Sequence, residues 1–297
     1  MSDIGEGHGK KGRYCGLPDP YGSKNHSKIA LLPVLFDQTT TYGKGTDKGP
    51  TALIEASRHL ELYDIETDSQ VYLEGIYTAP PVKAKTSKQM LETVYRRTKE
   101  LMDQGKFVVT LGGEHSISYA PIRAHVERYK KITILQFDAH ADLAEAYEDN
   151  PWSHASAMAR VKELKGVEKI VSIGIRSMSH SELAYLDRPN TFFAHEILED
   201  PHWIDRLVDQ LSDLVYITFD LDVFDPSFMP STGTPEPGGL SWYEVLKVLK
   251  RVIERKKLVG LDVVELLPKA ADRAPDFLAA KLIYKILSYQ FQAKKKK

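Results

Sequence analysis

The chain has 297 residues, 42% of them hydrophobic, a net charge of −1 and a single cysteine, Cys15. That is enough apolar material for a sizeable core, with no basic stripe to meet nucleic acid and no second thiol for an internal disulfide or a sulfur-rich zinc site. No N-terminal apolar segment and no apolar run near about 18 residues occurs, so neither secretion nor membrane spanning is expected, and the lone thiol fits a reducing, cytoplasmic setting.

Residues 1–28 are rich in Gly, Lys and polar residues with no usable period. They read as an N-terminal arm, either mobile or ordered against a neighbouring subunit. Residues 29–293 read as one domain in which strand-like and helix-like segments alternate. Strands are expected at 29–35 and 71–75, followed by a helix whose face is marked by Met90, Leu91, Val94, Tyr95, Leu101 and Met102 and which stops at Gly105. Further strands are expected at 107–111, 132–137, 170–175 and 191–194. Asp200 before Pro201 reads as an N-cap ahead of Trp203, Ile204, Leu207 and Val208. After strands at 215–219 and 258–264, with a Ser241/Glu244 capping box between them, a last helix should run over about 277–290. Lys294 to Lys297 read as a solvated tail. Most strand segments are continuous apolar runs, which suits a sheet covered on both faces. The expected fold is a three-layer α/β/α domain around a mostly parallel, eight-stranded sheet.

Three charged clusters sit directly after apolar strands. Gly113-Glu114-His115-Ser116 follows 107–111, Asp138-Ala139-His140-Ala141-Asp142 follows 132–137, and Asp220-Leu221-Asp222 follows 215–219. Side chains two apart in extended backbone point the same way, so Asp138, His140 and Asp142 can converge, as can Asp220 and Asp222. One such cluster alone is usually a solvated turn or a helix cap. Three together, at the strand ends where open α/β sheets bind ligands, point to a metal site. Four carboxylates so placed would repel and take up protons unless cations held them. Oxygen and imidazole donors without sulfur favour hard or borderline metals such as manganese. A pair of such ions holds a water as hydroxide near neutral pH.

These motifs, in this order, resemble the ureohydrolase (arginase–agmatinase) family, and the likeness extends from Gly43-Lys44-Gly45-Thr46-Asp47-Lys48-Gly49-Pro50 to Leu261-Asp262-Val263-Val264-Glu265. The resemblance implies the arginase-like fold and hydrolysis of a guanidinium group to urea and an amine. It assigns His115, Asp138, Asp142 and Asp220 to one Mn2+, and His140, Asp138, Asp220 and Asp222 to the other, with Ni2+ or another divalent ion as alternatives. His154, twelve residues beyond Asp142, stands where the family keeps its proton shuttle. Asp142 would also take part in proton transfer, and Glu265 would bind the guanidinium. Asp225 breaks the two-residue alternation and should brace its loop, while 231–239 resembles the loop at the pocket mouth. The other seven histidines lie outside these motifs. By the same resemblance the chain would form a homotrimer or homohexamer.

The substrate's tail is less well marked. Ala144 stands where arginases carry an asparagine that reads the amino-acid end of arginine, and Glu114 is more like agmatinases. No cationic reader of a carboxylate is evident between Asp142 and His154, whereas Glu145, Glu148 and Asp149 could attract an ammonium. A small cationic guanidino substrate is expected, with agmatine first. N1-aminopropylagmatine, arginine, guanidinobutyrate and guanidine stay open, as does a different class: a single-zinc deacetylase or a non-catalytic protein on the same scaffold.

Overall fold

Residues 9–293 are described by the structure, a computed structural model. Its sheet strands are β1 (Ile29–Leu35), β2 (Ile76–Thr78), β3 (Val82–Lys83), β4 (Phe107–Leu111), β5 (Ile132–Phe137), β6 (Val167–Ile175), β7 (Thr191–Phe193), β8 (Leu214–Asp220) and β9 (Lys257–Val264). Every pairing between them is parallel, in the order β2-β1-β4-β9-β8-β5-β6-β7, with β3 added to the far end of β1.

The helices are α1 (Gly49–Ser57), α2 (Ser87–Asp103), α3 (Tyr119–Tyr129), α4 (Ala157–Lys162), α5 (Ala194–Ile197), α6 (Trp203–Gln210), α7 (Trp242–Arg255) and α8 (Ala274–Ala293). Strand residues alternate between faces, as the pleat requires. Leu135 and Phe137 join one cluster with Leu53, Leu207, Leu249 and Ile283, whereas Ile132 and Ile134 join another with Ile122, Val126 and Met158. Thus α1, α6, α7 and α8 cover one face, and α2, α3 and α4 the other. The three-layer expectation holds.

The expected count of eight strands becomes nine. The segment 71–75 is not a strand: Val71–Glu74 forms a 3-10 turn, Gly75 takes φ 75°, and extension starts only at Ile76. Val82–Lys83 follows Pro80-Pro81 and is too short to show a period. Ser241 and Glu244 do make their capping box. Asp200 does not cap α6; its carboxylate accepts from the His202 N–H in a tight turn, and the helix opens at Trp203. In the arm, the buried Tyr14 donates its hydroxyl to the Ala280 carbonyl at 2.7 Å, so residues around it pack on α8 of their own chain. Residues 1–8 of the arm and the Lys294–Lys297 tail lie outside the described residues.

What matters for function is level. Phe137 pairs with Phe219, and Phe219 with Val263, so β5, β8 and β9 end together. Leu111 pairs with Val263, bringing β4 to the same height. Gly113 permits this at the β1–β4 end, because a Cβ there would lie 2.0 Å from the Phe36 carbonyl oxygen. Replacing Gly113 with Ala must push that backbone aside, and overpacking of this kind costs about 1–3 kcal/mol or more. Urea titration should show this loss of stability together with weakened divalent-metal binding.

Candidate active site

Four neighbouring strands deliver the charged residues to one edge of the sheet: β4 carries His115, β9 Glu265, β8 Asp220 and Asp222, and β5 Asp138, His140 and Asp142. Asp138, Asp142, Asp220, Asp222, His115 and Glu265 are all buried, and His140 is half-buried. Donor atoms of His115, Asp138 and Asp220 lie within 4.8 Å of one another, as do those of Asp138, His140 and Asp222. Asp138 belongs to both groups. The clusters singled out in the sequence therefore converge.

Backbone amides aim these carboxylates. His140 N–H donates to Asp138 Oδ1 at 2.7 Å, Asp222 N–H to Asp220 Oδ1 at 2.8 Å, and Ala139 N–H to Asp222 Oδ1 at 2.9 Å. The Gln136 amide donates to Asp138 Oδ2 at 2.9 Å. Asp142 and Glu265 both sit in the left-handed region, at φ 54° and 66°.

Whether the residues fit metal ions can be tested on His115. Its Nε2 lies 2.9 Å from Thr218 Oγ1. Thr218 spends its only hydrogen on Asp262 Oδ1 at 2.8 Å, so it must accept from Nε2–H. In the neutral ring that leaves Nδ1 with a lone pair, and Nδ1 is buried with no hydrogen-bond partner assigned to it. Around it stand Asp142 Oδ2 at 2.9 Å, Asp138 Oδ2 at 3.2 Å and Asp220 Oδ2 at 3.5 Å. A lone pair facing three carboxylates is what a divalent cation would satisfy, with Asp262 and Thr218 orienting the ring from behind. His140 presents Nδ1 to Asp222 Oδ2 at 2.9 Å.

The electrostatics agree. Burial first, then Asp138, pushes the Asp142 carboxyl up, and burial with Asp222 and Asp138 pushes Asp220 further. Glu265 is raised by burial and by Glu114. Without a cation, protons take its place on the raised carboxyls and on the histidine rings. Burial opposes a charged ring, yet Asp222 and Asp138 push His140 up to about 12. Divalent ions would displace those protons.

Residues 27–288 match the profile of the arginase family. The chain belongs to the arginase family. The N(1)-aminopropylagmatine ureohydrolase of Synechocystis sp. is 36% identical to it over 280 residues, 91% of each chain. The agmatinase of Pyrococcus horikoshii is 31% identical over 263 residues, 86% of this chain and 90% of its own. The crystal structure of the agmatine ureohydrolase of Thermoplasma volcanium superposes with a TM-score of 0.84 at 29% identity, covering 92% of this chain and 93% of that one. This chain is thus an agmatinase-type ureohydrolase, a metal-dependent hydrolase of guanidino C–N bonds. Membership sets aside the deacetylase reading.

Outside the ligand motifs, His154 opens a 3-10 turn, half-buried, with the Tyr147 ring 5.6 Å away. Asp225 accepts from the N–H groups of Ser227, Gly238 and Gly239, a brace on the 231–239 loop. Glu145, Glu148 and Asp149 are exposed. Of the other histidines among the described residues, His125 is buried and donates its Nδ1–H to the Pro121 carbonyl at 2.7 Å, while His26, His59, His180, His195 and His202 are exposed.

Sequence reasoning missed the supports: Asp262 and Thr218 behind His115, Gln136 beside Asp138, and Arg176. The half-buried Arg176 donates to the carbonyls of Asp222, Phe224 and Glu236, tying the mouth loop to the β8 end. Replacing Thr218 with Val removes the Nε2 acceptor while keeping the shape. Isothermal titration should show metal affinity about 10–100-fold weaker, the usual cost of losing an outer-shell partner.

Proposed function

We propose that this enzyme hydrolyses an agmatine-type guanidine, with N1-aminopropylagmatine and agmatine as its two leading substrates. The observation that carries the reading is the mouth beside His154. Gln38, Thr39, Thr40, Thr41, Lys44, Tyr147, Glu148 and Asn150 line a groove of about 380 Å³ there. It offers room for a tail beyond the reacting guanidinium, with Glu148 on its wall. Ala144 turns its N–H into a bond with the Ala155 carbonyl and has no side chain to read a carboxylate. Burying arginine's carboxylate without a partner would cost several kcal/mol. The aminopropyl extension is favoured by the names of the more similar relatives, and agmatine by those of the others.

The site residues are assigned as follows. His115, Asp138, Asp142 and Asp220 would hold one ion, and His140, Asp138, Asp220 and Asp222 the other, with Mn2+ as the native metal. When bound, such a pair supplies Lewis-acid charge and a water activated near neutral pH. Glu265 holds the guanidinium. Its Oε1 accepts from the His115 N–H at 2.6 Å, and its Oε2 faces Gly233, where a Cβ would come within 3.7 Å. That space stays open for the planar donors of a guanidinium. Asp142 accepts a proton from the attacking water, and His154 delivers one to the departing amine, so the products are urea and an ammonium. Agmatine would give putrescine.

The single buried cysteine supports a reducing compartment, the cytoplasm. Self-association, as the homotrimer or homohexamer that the family resemblance implies, is supported by the apolar groove lined by Tyr63, Ile65, Phe228, Tyr243 and Phe277, which are all exposed in the single chain.

Two experiments test this reading. Urea release from manganese-loaded enzyme should be at least ~10²-fold higher in kcat/KM for agmatine or N1-aminopropylagmatine than for arginine, a difference of about 2.7 kcal/mol. Comparable efficiency on arginine would overturn the substrate reading and leave the two-metal hydrolase standing. Replacing Asp138 with Asn should abolish turnover and lower occupancy of both metals by elemental analysis, because that residue is assigned to bridge them. His115→Asn should leave one ion measurable.

A further inference from the structure

Glu114 is fully buried among the site residues yet belongs to neither ligand group. Its Oε2 accepts from the N–H groups of Gln38 and Thr39, both at 2.6 Å. Its Oε1 accepts from Thr39 Oγ1 at 2.8 Å and from Ser116 Oγ at 2.5 Å. Thr39 Oγ1 in turn touches His154 twice, at the backbone N–H at 3.0 Å and at Nδ1 at 3.2 Å.

A threonine hydroxyl has one hydrogen and two lone pairs. The hydrogen goes to the Glu114 carboxylate, which can only accept when ionised. Both lone pairs therefore accept, one from His154 N–H and the other from His154 Nδ1, which must carry its hydrogen. The second ring nitrogen, Nε2, is then the one left to take up and give up a proton. We propose that Glu114 and Thr39 are positioning residues that fix the orientation and tautomer of His154. This rests on the assignment of His154 as the proton donor. One carboxylate thus reaches both the Gln38–Thr39 backbone and the Thr39 hydroxyl.

The test uses full-length, metal-loaded enzyme and compares Thr39→Val, Thr39→Ser, Glu114→Gln and His154→Asn. Valine keeps the shape and the backbone bond to Glu114 but removes the hydroxyl. It should lower kcat on the order of 10–100-fold, a part of what a general acid–base group contributes, with KM and metal content unchanged. Serine should restore most of the loss. Glu114→Gln offers Thr39 an amide donor, which frees the threonine hydrogen to point at Nδ1 and selects the wrong tautomer; it should resemble Thr39→Val. In a His154→Asn background, Thr39→Val should change kcat by less than about 2-fold, because the two act through one group. An equal loss in both backgrounds, or failure of serine to rescue, overturns the proposal. So does a Thr39→Val enzyme with wild-type kcat beside an inactive His154→Asn enzyme, a result that leaves the shuttle assignment standing. Wild-type kcat in His154→Asn would instead overturn the shuttle assignment itself.

Discussion

Four aspartates held in one buried space repel each other, and everything at this edge of the sheet is arranged around that repulsion. Asp138, Asp142, Asp220 and Asp222 are almost fully withdrawn from water. Hydration cannot screen them there, and only cations or protons can offset the charge. The backbone amides that accept no compromise in direction, those of Ala139, His140 and Asp222, hold the carboxylates together despite the cost. Parallel pairing supplies the rest. In a parallel sheet all carboxyl ends face the same way, so four adjacent strands can each contribute one cluster without any long excursion of the chain. The metal requirement of the arginase family follows from this packing as much as from the identity of the ligands.

The site was legible in the sequence because its chemistry is local. Asp138, His140 and Asp142 lie within five consecutive residues, as do Asp220 and Asp222 within three, and each group follows an apolar run long enough to be read as a strand. The central strands were legible for the same reason: burial on both faces leaves 107–111 and 132–137 predominantly apolar and free of charged residues. The sheet's margin was not. At 71–75 the apolar residues serve a 3-10 turn, because Gly75 rotates the chain before extension begins. At Val82–Lys83 there are too few residues for any period to appear. The Asp200 cap failed for a different reason: its carboxylate finds a backbone donor two residues on, and that turn delays the helix. Such competition between a cap and a tight turn is settled by geometry that a sequence does not display.

The supports of the site were the least visible part. Thr39 lies 115 residues from His154, Thr218 103 residues from His115, and Asp262 44 residues from Thr218. None has a motif of its own, since a hydroxyl or carboxylate that orients another side chain needs only to be in the right place. Their common logic is that hydrogen counts determine which nitrogen of each ring is free. At His115 the free nitrogen faces the carboxylates, and at His154 it is the one turned from Thr39. Neither outcome could be read from the imidazoles alone.

Asp142 and Glu265 keep a left-handed backbone that glycine or asparagine would adopt at lower cost. Strain of this kind amounts to about 1–3 kcal/mol per residue. The fold therefore holds costly backbone at two positions of the buried charged cluster, where glycine or asparagine would relieve the left-handed conformation. A copy freed from its catalytic duty should betray itself there, by relaxing its backbone before it loses its core.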